Sequence, residues 1–324
     1  MHRFLPARWP NGFRLPAVHR SRTFASVAVF AAQALLAAVG LLVATTSAGG
    51  ASTRTAGAPT KPGGAALFDA QRAYALTRMQ LSYGPRPAGS SAQRRVAGRL
   101  RSLLPAASYE PLAGGLRNIV GGLPGRGRAI VVAAHYDTTP VPGYLGANNS
   151  AAGVGAVIEL ARDLRRDRAP RGAPPIRFAL FDGEEAPAGF TDFIAQGLRG
   201  SRAYAAAHAG QTREVIVLDF IALPDERLPR EQGSDAQLWQ RMRAAARRSG
   251  ATRLFPAGTR AEVLDDHTPF VAQGIPAIDL IDFDYRCWQK LCDDLSQVSV
   301  RNLGAVGKSV LALVRSERRR LAAG

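Results

Sequence analysis

VVAAHYDTTPVPGYLGANNS, residues 131–150, is the stretch on which the reading of the fold turns. The apolar run 130–134 has the length and composition of a buried strand, and it delivers His135 into a polar loop. From Ala151 the pattern changes to helical spacing, with Val154, Val157, Ile158, Ala161 and Leu164 on one side. Strand, reactive loop, helix is how open α/β sheets present chemistry at the carboxyl edge of their strands.

Outward from that unit, the same alternation repeats. Upstream, 118–120 reads as a strand joined to 129–134 by the turn Pro124-Gly125-Arg126-Gly127. Further back, helical spacing over 68–81 stops at Tyr83-Gly84-Pro85, and Ser90 or Ser91 caps a second helix over 92–104. Downstream come strands at 176–181, 215–221 and 277–281 and helices at 237–249 and 300–315. Strands and helices in this order predict an α/β fold: a three-layer α/β/α sandwich around a mostly parallel, mixed sheet. No internal repeat is visible. The closing run RSERRR, 315–320, continues the last helix into solvent or against an anionic surface.

Composition narrows the class. A chain of 324 residues that is 46% hydrophobic can bury one sizeable core, and its 33 glycines and 21 prolines are too few for a disordered chain. The formal net charge is +17, carried almost wholly by arginines spread along the whole chain rather than gathered with aromatics between them. That distribution argues against nucleic acid as a partner and for a solvated basic surface with a terminus facing an anionic membrane.

The first 22 residues hold five arginines and no acid, a basic cytoplasmic tail. Residues 23–47 open with an uncharged run, 23–46, long enough to span a bilayer, and end on Thr46-Ser47-Ala48, which resembles a cleavage site. The segment is a transmembrane anchor or a signal, and the positive flank places the amino terminus inside. Either way the rest is exported, membrane-anchored outside the cytoplasm or secreted. Residues 48–64 are small and unpatterned, a flexible linker, and the folded domain spans 65–318.

The chemistry gathers at strand ends. His135 and Asp137 follow one strand, Asp182, Glu184 and Glu185 the next, and Asp265, Asp266 and His267 fall in a loop. Asp219 sits within the apolar run VIVLDFIAL, read as part of the strand. A charge there is costly unless paired or bound to a cation. Each residue alone fits a surface or structural role, and together they point to a cation site.

The segments YGPRPAGS, AHYDT, GANNSAAG, FALFDGEEA, GSRAYAAA, VLDFIA, DDHTPF, GIPAIDLIDFDY and CWQ, in that order, resemble the zinc-aminopeptidase superfamily. They are most similar to its glutaminyl-peptide cyclotransferase branch, whose members close an amino-terminal glutamine into pyroglutamate. The resemblance covers 68–314 and implies a zinc-aminopeptidase-like domain acting on peptide or protein amino termini. It implies Glu185 as a zinc ligand, Glu184 as the proton shuttle, Asp219 and Asp265 as its hydrogen-bonding partners, and Trp288 as a wall of the substrate pocket. In such a site zinc polarises the glutamine carbonyl while the shuttle takes the amine proton and returns it to departing ammonia.

Two positions depart from that pattern. Asn149 stands where an Asp ligand is expected, and Gln289 where a His is. Neutral amide oxygens bind zinc far less well than carboxylate or imidazole. Three outcomes are open. A metal could sit off its usual position, held by His135 and Asp219 with Glu185, in an active cyclotransferase or aminopeptidase. The site could bind peptide amino termini without metal or turnover. Or the domain could be structural. Cys287 and Cys292, the only two cysteines, have four residues between them; export permits a disulfide pinning the loop of Trp288 and Gln289, with free thiols as the alternative.

Overall fold

The computed structural model describes residues 68–190 and 192–323. The expected basic tail, anchor or signal and linker therefore lie outside the described residues. Among the described residues no helix is long and apolar enough to cross a membrane.

The elements run α1 (Ala70–Leu81), α2 (Ser91–Leu103), β1 (Ser108–Pro111), β2 (Arg117–Leu123), β3 (Ala129–His135), α3 (Ala152–Arg166) and β4 (Ile176–Phe181). Two helices follow, α4 (Phe193–Gln196) and α5 (Arg199–His208), and then β5 (Thr212–Leu218), β6 (Arg230–Glu231) and α6 (Ala236–Arg248). The chain ends with β7 (Thr259–Arg260), α7 (Thr268–Val271), β8 (Ala277–Leu280) and α8 (Val300–Ala322). Ser90 is the cap of α2, its hydroxyl accepting from Gln93 N at 3.1 Å, and Asp69 caps α1 in the same way from Arg72 N at 3.0 Å.

The main sheet has the order β1-β2-β4-β3-β5-β8. β4, β3, β5 and β8 are parallel, and β2 and β1 add an antiparallel edge. The turn at 124–127 does join β2 to β3, yet the two strands are not neighbours. β4 lies between them, because a parallel β3–β4 pair needs the α3 crossover.

Alternation along the central strands feeds two cores. Ile130, Val132, Ala134, Phe178, Leu180, Ile216 and Leu218 face a core shared with Val96, Val157, Met242 and Val310 from α2, α3, α6 and α8. Val131, Ala133, Phe181, Val215 and Val217 face a second core with Tyr204 of α5 and Phe270 of α7. Burial on both faces explains why these strands read as continuous apolar runs, each buried Val, Leu, Ile or Phe contributing roughly 1.5–3 kcal/mol. The close fit of α3 depends on small residues: a Cβ on Gly153 would lie 2.2 Å from Leu218 O of β5, and one on Gly155 2.6 Å from Ala73 O of α1.

Two expectations are corrected in detail. β5 stops at Leu218, so Asp219 is the first residue past the strand rather than inside it, and Phe220 beside it adopts φ 45°. The last helix runs to Ala322 rather than 315, held to the fold by Arg315–Asp167 at 2.7 Å and Arg241–Glu317 at 3.2 Å. The edge strand β1 and helix α5 carry no pattern strong enough to have been placed from the sequence.

Candidate functional site

Parallel strands end together, so the loops after β3, β4 and β5 open at one edge of the sheet. His135, the last residue of β3, is fully enclosed there. Its Nδ1 lies 3.5 Å from Asp137 Oδ1 and 3.7 Å from Glu184 Oε2, and its Nε2 lies 3.7 Å from Asp219 Oδ1. Burial opposes an imidazolium, but Glu184, Asp137 and Asp219 outweigh it and raise the His135 pKa well above the imidazole range. Both ring nitrogens of His135 are buried without a hydrogen-bond partner among the described residues, although three carboxylates lie 3.5–3.7 Å away.

Asp137 also shapes the next loop. Its two oxygens accept the backbone N–H groups of Glu184 and Glu185, each at 3.2 Å, which fixes both glutamates over the end of β3. Burial pushes the Glu184 carboxyl well above the usual carboxylate range, with Glu185, Asp265 and Asp266 adding to the shift and His135 opposing it. Burial raises Glu185 too, opposed by His135 and by the hydrogen bonds from Thr139 and Asn149. Those two bonds converge on one atom: Thr139 Oγ1 and Asn149 Nδ2, the latter at 2.9 Å, both donate to Glu185 Oε1. The other end of the Asn149 amide, Oδ1, is buried without a partner among the described residues.

The loop before α7 closes the group from another side. Asp265 and Asp266 are buried, and burial followed by the charges of Asp219 and Asp266 holds Asp265 well above the carboxylate range. Asp266 is pushed up to about 7 by burial. His267 is turned away from this group: its Nε2 is 3.3 Å from Glu231 Oε1 and its Nδ1 3.8 Å from Asp279 Oδ2. It secures the loop rather than supplying a further ligand.

Of the residues singled out in the sequence, His135, Asn149, Glu184, Glu185, Asp219 and Asp265 come together. Trp288 and Gln289 stand apart from this buried set. Gln289 is exposed with a left-handed backbone, φ 52°, and Trp288 is 43% exposed, packed on Phe283 at a ring separation of 5.1 Å. Both sit on the loop closed by a Cys287–Cys292 disulfide. That loop is tied to the site by Asp293, which sequence reasoning passed over. Its carboxylate accepts from Tyr144 Oη and Tyr285 Oη at 2.8 Å each, from Asn148 N at 2.8 Å and from Asn149 N at 3.1 Å. Asp137 was visible as a strand-end acid two residues after His135, and that spacing was the available signal for its role. Asp293 gave none.

Of the three positions where the resemblance places zinc ligands, only Glu185 brings an anionic donor to the site. Asn149 turns its N–H, not its oxygen, to Glu185, so that Glu185 Oε1 accepts from both Asn149 and Thr139. Gln289 is exposed, and among the described residues no three His, Cys, Asp or Glu side chains are grouped as a metal site.

Comparison with known proteins gives the family and the fold. The model of peptidase family M28 matches residues 118–314. The chain is 27% identical over 222 residues to a glutaminyl-peptide cyclotransferase of Bothrops jararaca, covering 55% of this chain and 60% of that one. A glutaminyl-peptide cyclotransferase-like protein of Bos taurus is 28% identical over 200 residues, 51% of this chain and 50% of that one. The chain thus spans half to three-fifths of the length of these curated relatives. Among solved structures, an Acidobacteriales bacterium glutaminyl cyclase superposes with a TM-score of 0.70 at 25% identity, over 82% of this chain and 100% of that one. A Zn-dependent exopeptidase of Parabacteroides distasonis, at 24% identity, shares the fold with a TM-score of 0.69 over 78% of this chain and 99% of that one.

Proposed function

The chain belongs to peptidase family M28, and from that premise we propose that it is a glutaminyl cyclase-like protein that binds free peptide amino termini through carboxylates, without zinc. One observation carries the reading: the Asn149 amide donates to Glu185 Oε1 inside a group of buried acids around His135. The roles of these side chains follow from their chemistry. Glu184, Asp219 and Asp265 would be the acceptors for a ligand ammonium group, whose charge would offset the burial and the neighbouring carboxylates that raise Glu184 and Asp265. Asn149 Oδ1, buried and unpartnered, is an acceptor for an N–H of the ligand, such as the carboxamide of an amino-terminal glutamine. Trp288 and Phe283 offer exposed aromatic surface for the residues that follow.

Export from the cytoplasm, by an anchor or a cleaved signal at 23–47, belongs to the same proposal, since it would bring the pocket to secreted or surface peptides.

The test is a calorimetric titration with a Gln-initiated peptide and its N-acetylated counterpart. Binding of the free peptide and none of the acetylated one supports the reading; equal heats from both would sink it. A second reading, turnover of the glutamine, is favoured by Glu184, whose carboxyl burial pushes well above the usual range, the direction that suits a group passing a proton from amine to leaving group. Ammonia release from the same peptide, without release of a free amino acid, distinguishes cyclisation from simple binding and from aminopeptidase action.

A further inference from the structure

The end of the sheet opposite the acid pocket carries the reverse charge. Arg126 and Arg128 lie in the β2–β3 turn, Arg165 is in the last turn of α3, Arg168 and Arg171 lie in the loop that follows, and Arg177 is the second residue of β4. The sheet register brings these segments together, since Leu123 and Ile130 both pair with Ile176. All six side chains belong to exposed residues, and none has an ion-pair partner among the described residues. The acids at that end are already engaged: Asp167 with Arg315, Glu214 with Arg241, and Glu317 with Arg241 and Arg320. Arg128 and Arg177 also line a cavity of about 230 Å³ between the starts of β3 and β5, beside His208, which is paired with Glu110 at 3.0 Å. An unneutralised basic face with a cationic recess fits phosphate-bearing surfaces.

The chain itself says which surface. α1 lies against α3 with Gln80 reaching Ala151 O and Arg72 reaching Glu159, so it runs antiparallel to α3 and its first turn points to the arginine end. The polypeptide joins the described domain there, after an uncharged run at 23–46 long enough to enter a bilayer and a short linker.

We propose that this arginine face docks on an anionic phospholipid surface, with the cavity of Arg128 and Arg177 receiving a lipid phosphate. Docked in this way, the acid pocket opens away from the lipid. The inference does not depend on what the pocket binds.

Hydrogen exchange of the full chain tests it, in nanodiscs of phosphatidylcholine alone and of phosphatidylcholine with phosphatidylglycerol. Amides at 124–128 and 166–177 should exchange several-fold more slowly on the anionic discs, which attract the basic residues of this face. High salt should abolish the difference. So should R128E/R177E, and separately R168E/R171E, with peptide binding at the pocket unchanged. Equal exchange on both discs overturns the proposal, as does protection confined to the pocket loops 137–149 and 183–190. Inorganic phosphate that protects the same amides equally without lipid would also overturn it, by making the recess a free-anion site.

Discussion

The Asn149 side chain donates Nδ2–H to Glu185 Oε1 across 2.9 Å. Two metal ligands would present two acceptors to the space between them; here one acceptor meets one donor, and the pair is satisfied without a cation. That arrangement makes residue 149 the point at which the site's chemistry changes.

Asn149→Asp should therefore cost stability in the absence of metal. Two carboxylates would face each other in a buried site, a loss on the order of 2 kcal/mol, or about 4–8 °C in melting temperature. Zinc should reverse the loss, most fully in Asn149→Asp/Gln289→His, whose metal content by elemental analysis should rise to one per chain. A double variant that stays metal-free would contradict this account of the substitutions.

Asp293 is predicted to be the residue on which the rim depends. Asp293→Ala strips four donors of their buried acceptor, and hydrogen bonds to a charged group are worth about 1.5–3 kcal/mol each. Denaturant unfolding should show a loss of at least about 3 kcal/mol, whereas a loss confined to a few tenths would mean that water replaces the carboxylate.

The Cys287–Cys292 bond closes a loop of a few residues, which the chain-entropy relation values at about 2 kcal/mol. Alkylation before reduction should add no mass, and alkylation after it two labels. Cys287→Ser/Cys292→Ser should lower stability by that amount and weaken peptide binding, because Trp288 loses its anchorage. Unchanged affinity would remove Trp288 from the binding surface.

Glu214 supplies a pH test away from the pocket. It is 3% exposed at the side chain, and burial, reinforced by Glu317 and opposed by Arg241, pushes it from 4.5 up to about 7. A raised carboxyl keeps more protons in the folded state than in the unfolded one, so stability falls as pH rises from 4.5 to 7. Glu214→Gln should remove roughly 3 kcal/mol of that decline. The variant should match the parent near pH 4.5 and exceed it above pH 7, unless loss of the Arg241 contact cancels the gain. Parallel stability curves for the two proteins would be inconsistent with the shift.

The central strands were legible because burial on both faces writes them as unbroken apolar runs: 176–181 was read to the residue. α3 was legible from its helical stripe, and Asp137, Glu184 and Glu185 from their places after strand ends. Asp219 was read one residue too deep because the apolar run continues through Phe220 to Leu223 although the strand stops at Leu218. α5 was missed because its small side chains pack on the sheet without a strong stripe. Asp293 was missed for a different reason. Its role arises from loops 144–149 and 285–293 meeting in space, which no local pattern announces. The exposure of Gln289 is likewise a matter of loop geometry and not of residue type.

The account rests on carboxylates holding an ammonium group with no metal between them. Its most direct test is calorimetry with a Gln-initiated peptide, run once with a zinc chelator and once with added zinc. Equal affinity in the two runs is the predicted result. Binding that vanishes in chelator and returns with one equivalent of zinc would contradict it.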